Sequence, residues 1–563
     1  MSRAVVCLVA VVLLARPVFA QQRPTQLAPD PSRPTRDTTA RATGTAVIKG
    51  RVVEAANGQP VRRARVHAGS TALRDGRTAY TDAVGRYELK ALPSGHYTVT
   101  AFKPAYVTAA YGQPRPLDLG TSIDVPDAKT VDHIDFGLVR AGVIAGRITD
   151  EFGEPLADTQ VMAMRYQFVQ GTRRLMPSGS RMTNDIGEFR VFGLPPGQYY
   201  LAATLRNTRE TDPNDRETYA STYYPGTGSV SAAQPLTIAA GQTMAGLNMM
   251  VLPVRSVRVS GTVTDSSGAP LKSGFVQVDV PMGAGPMSSY RGAALKPDGT
   301  FSITGIAQGD YVLRVNTGIR MTEGEVEGAA VPLTVANSDI ADVHIVTAKP
   351  SSITGRVLVD PAESGSLKGS AFRLMTPAAT ADEAAVNGGG NGNGTPVQDD
   401  FTFELKARAG RIFIRSNTVG WFLRAVRVNG VNVLDTGFEI RANESLTGVE
   451  VELTHRQPDV TGTVSTAEGV PTRNAFVVVF PQDREHWSYL SRYVRMARPN
   501  PDNQYRVQVP PGEYLAIAVD FVEQGEWAEP DFLARVRERA VPFSMAEGEH
   551  KTLTLTLVTL SHN

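Results

Sequence analysis

The sequence predicts an all-β chain, a tandem array of five β-sandwich modules that follows a signal peptide and a flexible tether. Three observations support this prediction. A glycine followed by a short β-rich run recurs at positions 50, 146, 261, 355 and 462, so the copies start 94 to 115 residues apart. Turn residues separate short alternating strands within each copy, and segments with helical periodicity are scarce. A repeat of this length is typical of whole domains rather than of solenoid units.

The repeat divides the chain into seven predicted segments. These are a signal peptide (1–20), a disordered linker (21–43), and β-sandwich modules 1 (44–140), 2 (141–254), 3 (255–349), 4 (350–456) and 5 (457–563). Module 4 is the most divergent copy, and it contains a Gly/Asn tract, 387–394, that is typical of a loop. We expect the modules to have separate cores and to lie end to end.

The N-terminal segment has the features of a secretory signal. Arg3 provides a positive charge, and Ala4 to Ala15 form an apolar run that is too short to span a bilayer. Small residues at Val18 and Ala20 then predict cleavage after Ala20; the alternative is an uncleaved N-terminal anchor. The only cysteine, Cys7, lies in this segment, so the mature chain has no thiols. A cysteine-free chain favours bacterial export, to the periplasm or the extracellular space.

Composition excludes several classes of function. The chain of 563 residues has a formal net charge of +1 and is 20% charged. It therefore gives no electrostatic case for binding nucleic acid or an anionic membrane. No later stretch is long and apolar enough to predict a membrane span in the mature chain.

Each module has a characteristic pair of strands at its centre. In module 1 the first is Asp82 to Leu89, with a turn before an aromatic residue, and the second is Leu92 to Val99, which contains Gly-x-Tyr. Asp or Asn before Gly is the chemistry of a tight turn, which accounts for the acidic residues here. We expect the Gly-x-Tyr ring to fill the end of the sandwich while its hydroxyl bonds to the backbone. One short helix is predicted, Pro530 to Arg539, with proline in its first turn.

The Gly-x-Val opening, the Asp-x-x-Gly-x-Tyr/Phe strand and the Leu-Pro-x-Gly-x-Tyr strand together resemble the carboxypeptidase regulatory-like domain. The resemblance extends over nearly all of residues 44–560 and is strongest in modules 1 and 2. It implies an immunoglobulin/prealbumin-like sandwich that is grouped with carbohydrate-binding-like folds and is close to the Cna B-type modules of surface proteins. Repeat proteins of this kind are common in bacteria. The family implies a fold but no zinc ligands and no particular function.

The sequence contains no catalytic or metal-binding motif. The eight histidines are scattered: His67, His96, His133, His344, His455, His486, His550 and His562. We therefore predict no enzyme activity, no cofactor and no metal site. Two alternatives stay open. The acidic stretch Asp212 to Asp215 with Glu217 is a weak calcium candidate, and Lys49 is a candidate for an isopeptide bond in module 1 alone.

Aromatic residues five positions apart follow the Gly-x-Tyr strand in three modules. The candidate ligand-binding residues are Tyr106, Tyr111, Tyr219, Tyr223, Tyr224, Trp527 and Phe532, with Trp487 nearby in sequence. Exposed rings of this kind stack on sugars or grip extended peptides. The alternative is that the rings cap the sandwich ends or pack between modules.

These observations predict an exported, non-catalytic protein with a structural, adhesion or binding role. Two alternatives are carbohydrate binding through exposed aromatic loops, and an accessory role in a peptidase or transport system. The expected partners are a carbohydrate or another protein of the cell envelope.

Processing after Ala20 is testable on exported protein. N-terminal sequencing should begin at Gln21, because the charged, apolar and small-residue parts of a signal occur in order. Intact mass provides an independent check. An exported fraction that begins at Met1 would contradict the cleavage.

Overall fold

The computed structural model of the protein describes residues 44–560, except 74, 119, 170, 206–216, 282–290, 317–326, 361–367, 379–393, 417, 419, 489 and 501. The predicted signal peptide, the tether, the acidic stretch 212–215 and nearly all of the Gly/Asn tract lie outside the described residues. The described residues belong to one compact unit. Within the described ranges, no helix is long and apolar enough to cross a membrane.

Module 1 is a sandwich of two sheets. Its strands are β1 (Ala46–Glu54), β2 (Arg65–Gly69), β3 (Arg77–Tyr80), β4 (Arg86–Leu92), β5 (Gly95–Phe102), β6 (Ala109–Ala110), β7 (Ile123–Val125), β8 (Thr130–Val131) and β9 (Phe136–Leu138). One sheet has the order β4–β1–β8, with β9 also beside β1. The other has the order β3–β2–β5–β6, with β7 also beside β5. Buried and exposed side chains alternate along β2 and β5, so one face of that sheet is turned to the core.

Modules 2 and 3 repeat this pairing of sheets. The strands of module 2 are β10 (Gly142–Thr149), β11 (Thr159–Val169), β12 (Thr172–Met182), β13 (Glu188–Leu194), β14 (Gly197–Leu205), β15 (Glu217–Tyr219), β16 (Thr222–Tyr223), β17 (Leu236–Ile238), β18 (Thr243–Met244), β19 (Met249–Met250) and β20 (Pro253–Arg255). Those of module 3 are β21 (Val257–Thr264), β22 (Phe275–Asp279), β23 (Arg291–Ala294), β24 (Thr300–Ile306), β25 (Gly309–Asn316), β26 (Gly328–Val335) and β27 (Ile340–Val346). The orders β13–β10–β18 and β24–β21–β27 correspond to β4–β1–β8.

Modules 4 and 5 vary the arrangement. The strands of module 4 are β28 (Ser351–Val359), β29 (Arg373–Met375), β30 (Thr395–Pro396), β31 (Thr402–Ala407), β32 (Gly410–Ile412), β33 (Arg415–Ser416), β34 (Phe422–Val428), β35 (Val431–Asn432), β36 (Phe438–Ile440) and β37 (Ser445–Thr454). Those of module 5 are β38 (Asp459–Ser465), β39 (Phe476–Pro481), β40 (Arg495–Ala497), β41 (Gln504–Gln508), β42 (Gly512–Val519), β43 (Val541–Met545), β44 (His550–Thr552) and β45 (Leu555–Val558). In module 5 the strand β45 pairs with both β42 and β38, which joins its two sheets.

The predicted helix is confirmed. Helix α1 spans Pro530–Val536, and a 3₁₀ turn, Arg537–Arg539, continues it. Pro530 occupies the first turn, where its missing N–H has no partner to lose. The Glu529 side chain accepts a hydrogen bond from the Phe532 N–H at 3.1 Å and so caps the helix.

A separate hydrophobic cluster lies between the sheets of each predicted module. The clusters run from Ala46 to Leu138, Ile144 to Val251, Val257 to Ile345, Ile353 to Leu453 and Val460 to Leu555. The prediction of an all-β chain built from repeated β-sandwiches is confirmed. The number of modules and their boundaries stay predictions.

The repeated glycine is required by a close contact with the last part of its module. A Cβ at Gly50 would lie 2.0 Å from the carbonyl oxygen of Ile134. The corresponding distances from Gly146, Gly261, Gly355 and Gly462 to the carbonyl oxygens of Leu247, Val343, Val449 and Leu553 are 1.9 to 2.1 Å. No side chain fits there, so glycine is needed for packing, whatever its backbone conformation.

An aromatic residue faces this glycine across the sheet in every copy. The cross-strand pairs are Gly50 with Tyr87, Gly146 with Phe189, Gly261 with Phe301, Gly355 with Phe403 and Gly462 with Tyr505. A large ring beside a glycine covers the backbone that the glycine leaves bare. The two tyrosines also form a hydrogen bond to the carbonyl that approaches the glycine. The Tyr87 hydroxyl donates to the carbonyl of Ile134 at 2.7 Å, and the Tyr505 hydroxyl donates to that of Leu553 at 2.5 Å.

The predicted role of the Gly-x-Tyr tyrosine is confirmed in four modules. Each hydroxyl donates to the carbonyl four residues earlier: Tyr97 to Pro93, Tyr199 to Pro195, Tyr311 to Ala307 and Tyr514 to Pro510, at 2.6 to 3.0 Å. In module 4 the position is taken by Ile412, which is buried but has no hydroxyl. The rings therefore fill the core while their polar ends are satisfied.

Alanine at a repeated glycine should destabilise its module. In Gly146→Ala the new Cβ would meet the Leu247 backbone at 2.1 Å, and overpacking of this kind costs about 1–3 kcal/mol or more. Amide hydrogen exchange in the full chain should show faster exchange in β10.

Gly228→Ala is the matched control in the same module. Its Cβ would find the Leu252 side chain at 3.6 Å, which is ordinary contact, so β10 should keep its protection. Equal exchange in the two variants would contradict the packing role of Gly146.

Candidate functional site

The candidate aromatic pair of module 1 packs against the core rather than standing free. Tyr111 is half-buried and meets Phe136 edge-on, with ring centres 6.3 Å apart. Tyr106 is half-buried beneath Arg140, whose guanidinium carbon is 5.1 Å from the ring centre. Arg140 also bonds the buried carboxylate of Glu54 at 2.5 Å, and its hydrogen bond holds the pKa of that carboxyl below its usual range. Both rings thus belong to one end of the sandwich.

The candidates of module 2 are also engaged internally. Tyr219 and Tyr224 are half-buried against the module core, and the Tyr219 hydroxyl donates to Glu151 at 2.9 Å. Tyr223 is only 5% exposed, and burial raises the pKa of its hydroxyl to about 12. It packs in a second small cluster on the other face of the β11–β14 sheet, with Met162.

In module 5 the candidates belong to a second hydrophobic cluster. Phe532 lies on the inner face of α1 and is 1% exposed, and Trp527 is half-buried beside it. Trp487 is buried and its indole N–H donates to the carbonyl of Pro481 at 2.7 Å. This cluster fixes α1 against β39 and β42.

The expectation of exposed aromatic loops is therefore wrong for Tyr223 and Phe532, because a ring must be accessible to stack on a sugar. The other candidates, Tyr106, Tyr111, Tyr219, Tyr224 and Trp527, are at most half-exposed. Packing at the sandwich ends accounts for them. Gly112, with φ of 74°, turns the chain directly after Tyr111 and lets that ring fold back on the core.

Tyr111 nevertheless borders a cleft between modules 1 and 5, with a volume of about 380 Å³. From module 1 it is lined by Tyr111, Gly112, Gln113, Pro114, Thr121, His133 and Asp135. From module 5 it is lined by Arg473, Asn474, Arg498, Pro499 and Asn500. The lining is mostly polar and carries both signs of charge, so the cleft suits a hydrated polar ligand rather than an apolar one.

Two arginines connect module 1 to module 5 beside this cleft. Arg498 of module 5 donates from Nη1 to the carbonyl of Gly112 at 2.8 Å. Arg115 of module 1 lies over the ring of Phe521, 4.1 Å from its centre. A cation over a ring and a charge-assisted hydrogen bond are both directional, so they fix how the two modules meet. The expectation that modules lie simply end to end is wrong, because the first contacts the fifth.

Loop 112–118 of module 1 is the element that makes this contact. A second cleft, of about 250 Å³, lies where Asp118 meets Phe168 of module 2 and Glu523 of module 5. Burial raises the pKa of Asp118, and burial lowers the pKa of Arg498. Burial therefore disfavours the charged form of both Asp118 and Arg498, and the attraction between their opposite charges partly offsets this cost.

Modules 4 and 5 meet through a denser polar contact. Arg492 holds Asp435 in a two-pronged pair, with Nε to Oδ1 at 2.8 Å and Nη2 to Oδ2 at 3.1 Å. The Tyr493 hydroxyl donates to the same carboxylate at 2.9 Å. Burial by itself would lower the pKa of Arg492, but the bonds to Asp435 outweigh it and raise the pKa. Arg415 of module 4 completes the contact by donating to the carbonyl of Leu490 at 3.3 Å.

The turn residues of the repeat use their polar side chains locally. Among the described residues, no group of three or more His, Asp or Glu side chains is placed to hold a metal ion. The turn acids are used locally: Asp82 Oδ1 accepts the N–H groups of Val84 and Arg86, at 3.0 and 2.8 Å. In modules 2 and 5 the side chains of Asn184 and Asn500 have this role, rather than the Asp185 and Asp502 of the sequence motif.

Comparison with known proteins supports the family resemblance. Residues 47–139 match the family model of the carboxypeptidase regulatory-like domain. Module 1 resembles this family. No curated protein matches the chain. For the later modules, the likeness to the regulatory-like domain rests on their shared motif residues and repeated sheet order.

Solved structures of bacterial proteins, two of them pilins, match the chain over long stretches. The TIE protein of Bacillus anthracis is 10% identical over 74% of each chain, with a TM-score of 0.14. A streptococcal ancillary pilin is 12% identical over 54% of this chain and 98% of that chain, with a TM-score of 0.18. The minor pilin GBS52 of Streptococcus agalactiae is 12% identical over 37% and 97%, with a TM-score of 0.22. At such TM-scores the likeness carries no argument about function.

Sequence reasoning missed the arginines between modules. One signal was present, because Pro114-Arg115-Pro116 is an unusually stiff run for a surface connection. It indicates a loop held in one conformation, as a contact between modules requires.

Truncation of a packed aromatic tests the capping role. Phe532→Ala should lower the free energy of unfolding of module 5 by about 3–5 kcal/mol, because the ring is buried. Urea unfolding followed by tryptophan emission reports on this region, since all three tryptophans lie in modules 4 and 5.

Val470→Ala serves as the control, because Val470 is 59% exposed in the same module and should cost less than about 0.5 kcal/mol. A Phe532→Ala protein as stable as this control would contradict the packing seen for α1.

Proposed function

We propose that the protein is an exported, non-catalytic scaffold of the bacterial cell envelope, whose β-sandwich modules are fixed relative to one another. The contact between modules 1 and 5 carries this proposal. Modules that moved independently would need no contact between the first and the last of them. Here Arg498 and Arg115 join module 1 to module 5. Fixed geometry is what a structural or adhesive protein needs in order to present a surface.

The use of the polar side chains supports the non-catalytic part. The turn acids accept backbone N–H groups, and the core tyrosines donate to backbone carbonyls. The junction arginines are paired with carbonyls, carboxylates or rings. These groups stabilise the fold, and none is paired with a nucleophile and a base in the way that hydrolytic catalysis requires.

Export is proposed from the N-terminal segment, with cleavage after Ala20. Carbohydrate binding through the predicted aromatic loops is not part of this proposal, because Tyr223 and Phe532 are buried. No contact in the described residues favours an accessory role with a peptidase or a transporter.

Chemical cross-linking tests the closed contact between modules 1 and 5. The mature chain would contain no cysteine, so Gln113→Cys with Asn474→Cys places two unique thiols in the walls of one cleft. A short bismaleimide should join them within one molecule in high yield, which peptide mass spectrometry would detect. Adding Arg498→Ala should lower that yield, because it removes the bond to Gly112.

Gln113→Cys with Val431→Cys is the control pair, because Val431 is exposed on module 4 and does not line the cleft. Equal yields from the two pairs would contradict a fixed contact. Turnover of peptides or esters by the purified chain, above that of the heat-denatured protein, would contradict the non-catalytic role.

A further inference from the structure

A row of exposed side chains crosses three strands on the outer face of module 1. Arg65 on β2 stands opposite Tyr80 on β3 and opposite Phe102 on β5. Tyr80 is 66% exposed and Phe102 is 38% exposed, although both are large aromatic residues. Neighbouring strands are about 4.8 Å apart, so the backbones of the two aromatic residues lie about 10 Å apart, with the backbone of Arg65 between them. Large apolar groups aligned on an open sheet face mark a binding surface more often than isolated ones do.

The arginine of this row is held on the face of the sheet. Its guanidinium carbon is 5.2 Å from the centre of the Phe102 ring, within the range of a cation–π contact. Among the described residues it has no carboxylate partner. The planar guanidinium therefore keeps its donors for a ligand, and its geometry matches a carboxylate.

The charge around the row is positive. Arg62 and Arg63 precede Arg65 in the chain, are exposed, and form no ion pair with a described residue. The Arg63 N–H bonds the carbonyl of Thr81, which places this basic segment next to the end of β3. The nearest acid in that turn, Asp82, is engaged with backbone N–H groups of its own turn.

The neighbouring part of the face is polar. The next cross-strand row is Thr78, His67 and Thr100, and the His67 Nδ1 lies 3.1 Å from the Thr78 hydroxyl oxygen. These hydroxyl and imidazole groups can donate and accept hydrogen bonds, as the hydroxyl groups of a sugar require. A row of aromatic residues and a neighbouring row of hydroxyl-bearing residues suit a chain of sugar rings lying across the strands.

We propose that this outer face of module 1 binds an acidic polysaccharide. A sugar ring stacks on Tyr80 or Phe102, and a sugar carboxylate pairs with Arg65. The positive charge favours a uronate polymer over a neutral glycan, and the two exposed aromatic rings favour sugar rings over an acidic peptide. The site goes beyond the scaffold role and does not depend on the contact between modules 1 and 5, so either conclusion can fail alone.

Calorimetric titration of the full mature chain with polygalacturonate tests the proposal. The wild-type protein should bind it, and the affinity should fall as sodium chloride is raised, because the pairing with Arg65 is screened. Tyr80→Ala with Phe102→Ala should lower the affinity by about tenfold or more. Arg65→Gln should lower it similarly. All these residues are exposed, so the melting temperature should not change.

Phe192→Ala is the matched control. Phe192 is 46% exposed on module 2 and also lies beneath an arginine, Arg181, at 4.0 Å, but no second exposed ring is aligned with it. This variant should bind like the wild type. An equal loss in Phe192→Ala would overturn the assignment to module 1. Equally tight binding of neutral dextran would overturn the role of Arg65, and equally tight binding of polyglutamate would overturn the role of the rings.

Discussion

The close approach of a carbonyl to a glycine is the constraint on which each sandwich depends. The last segment of a module runs parallel beside the opening strand, and one of its carbonyl oxygens lies 1.9 to 2.1 Å from the position that a Cβ of the glycine would take. The regular pairing of strands is shifted or interrupted at that point in all five copies, between Ile353 and Gly355 for example. The aromatic residue opposite the glycine then closes the gap, and in two modules it binds the same carbonyl.

The same chemistry appears at two scales. Within a module, polar side chains form hydrogen bonds with the nearby backbone, so few of them are left to make contacts outside the module. Between modules, arginines provide the stabilising contacts that hydrophobic clusters provide inside a module. A guanidinium can do this because it can bond a carbonyl and cover an aromatic ring at once. Arg492 with Asp435 and Arg498 with Gly112 are examples. The junctions are thus polar and directional, whereas the cores are apolar.

The repeat made the fold predictable, but it gave no information about the contacts between modules. Gly50 and its counterparts, the Gly-x-Tyr strand and the helix after Pro530 are local patterns, and a local pattern is visible in the sequence. The cleft around Tyr111 depends on Arg498, nearly four hundred positions away, and no periodicity connects them. Aromatic spacing was misleading for the same reason: Tyr223 and Phe532 look alike as loop residues, but clusters outside the main cores bury both. The exposed row at Arg65 needed the register of three strands.

The contact between modules 1 and 5 also limits how such a chain can change its length. In an open array a copy can be gained or lost by recombination, and the remaining copies keep their neighbours. Here an extra or missing copy would move Arg498 away from Gly112, and the two ends would no longer meet. The number of copies is therefore tied to the geometry of closure. Divergence is expected to accumulate within copies, as in module 4, and not in how many there are.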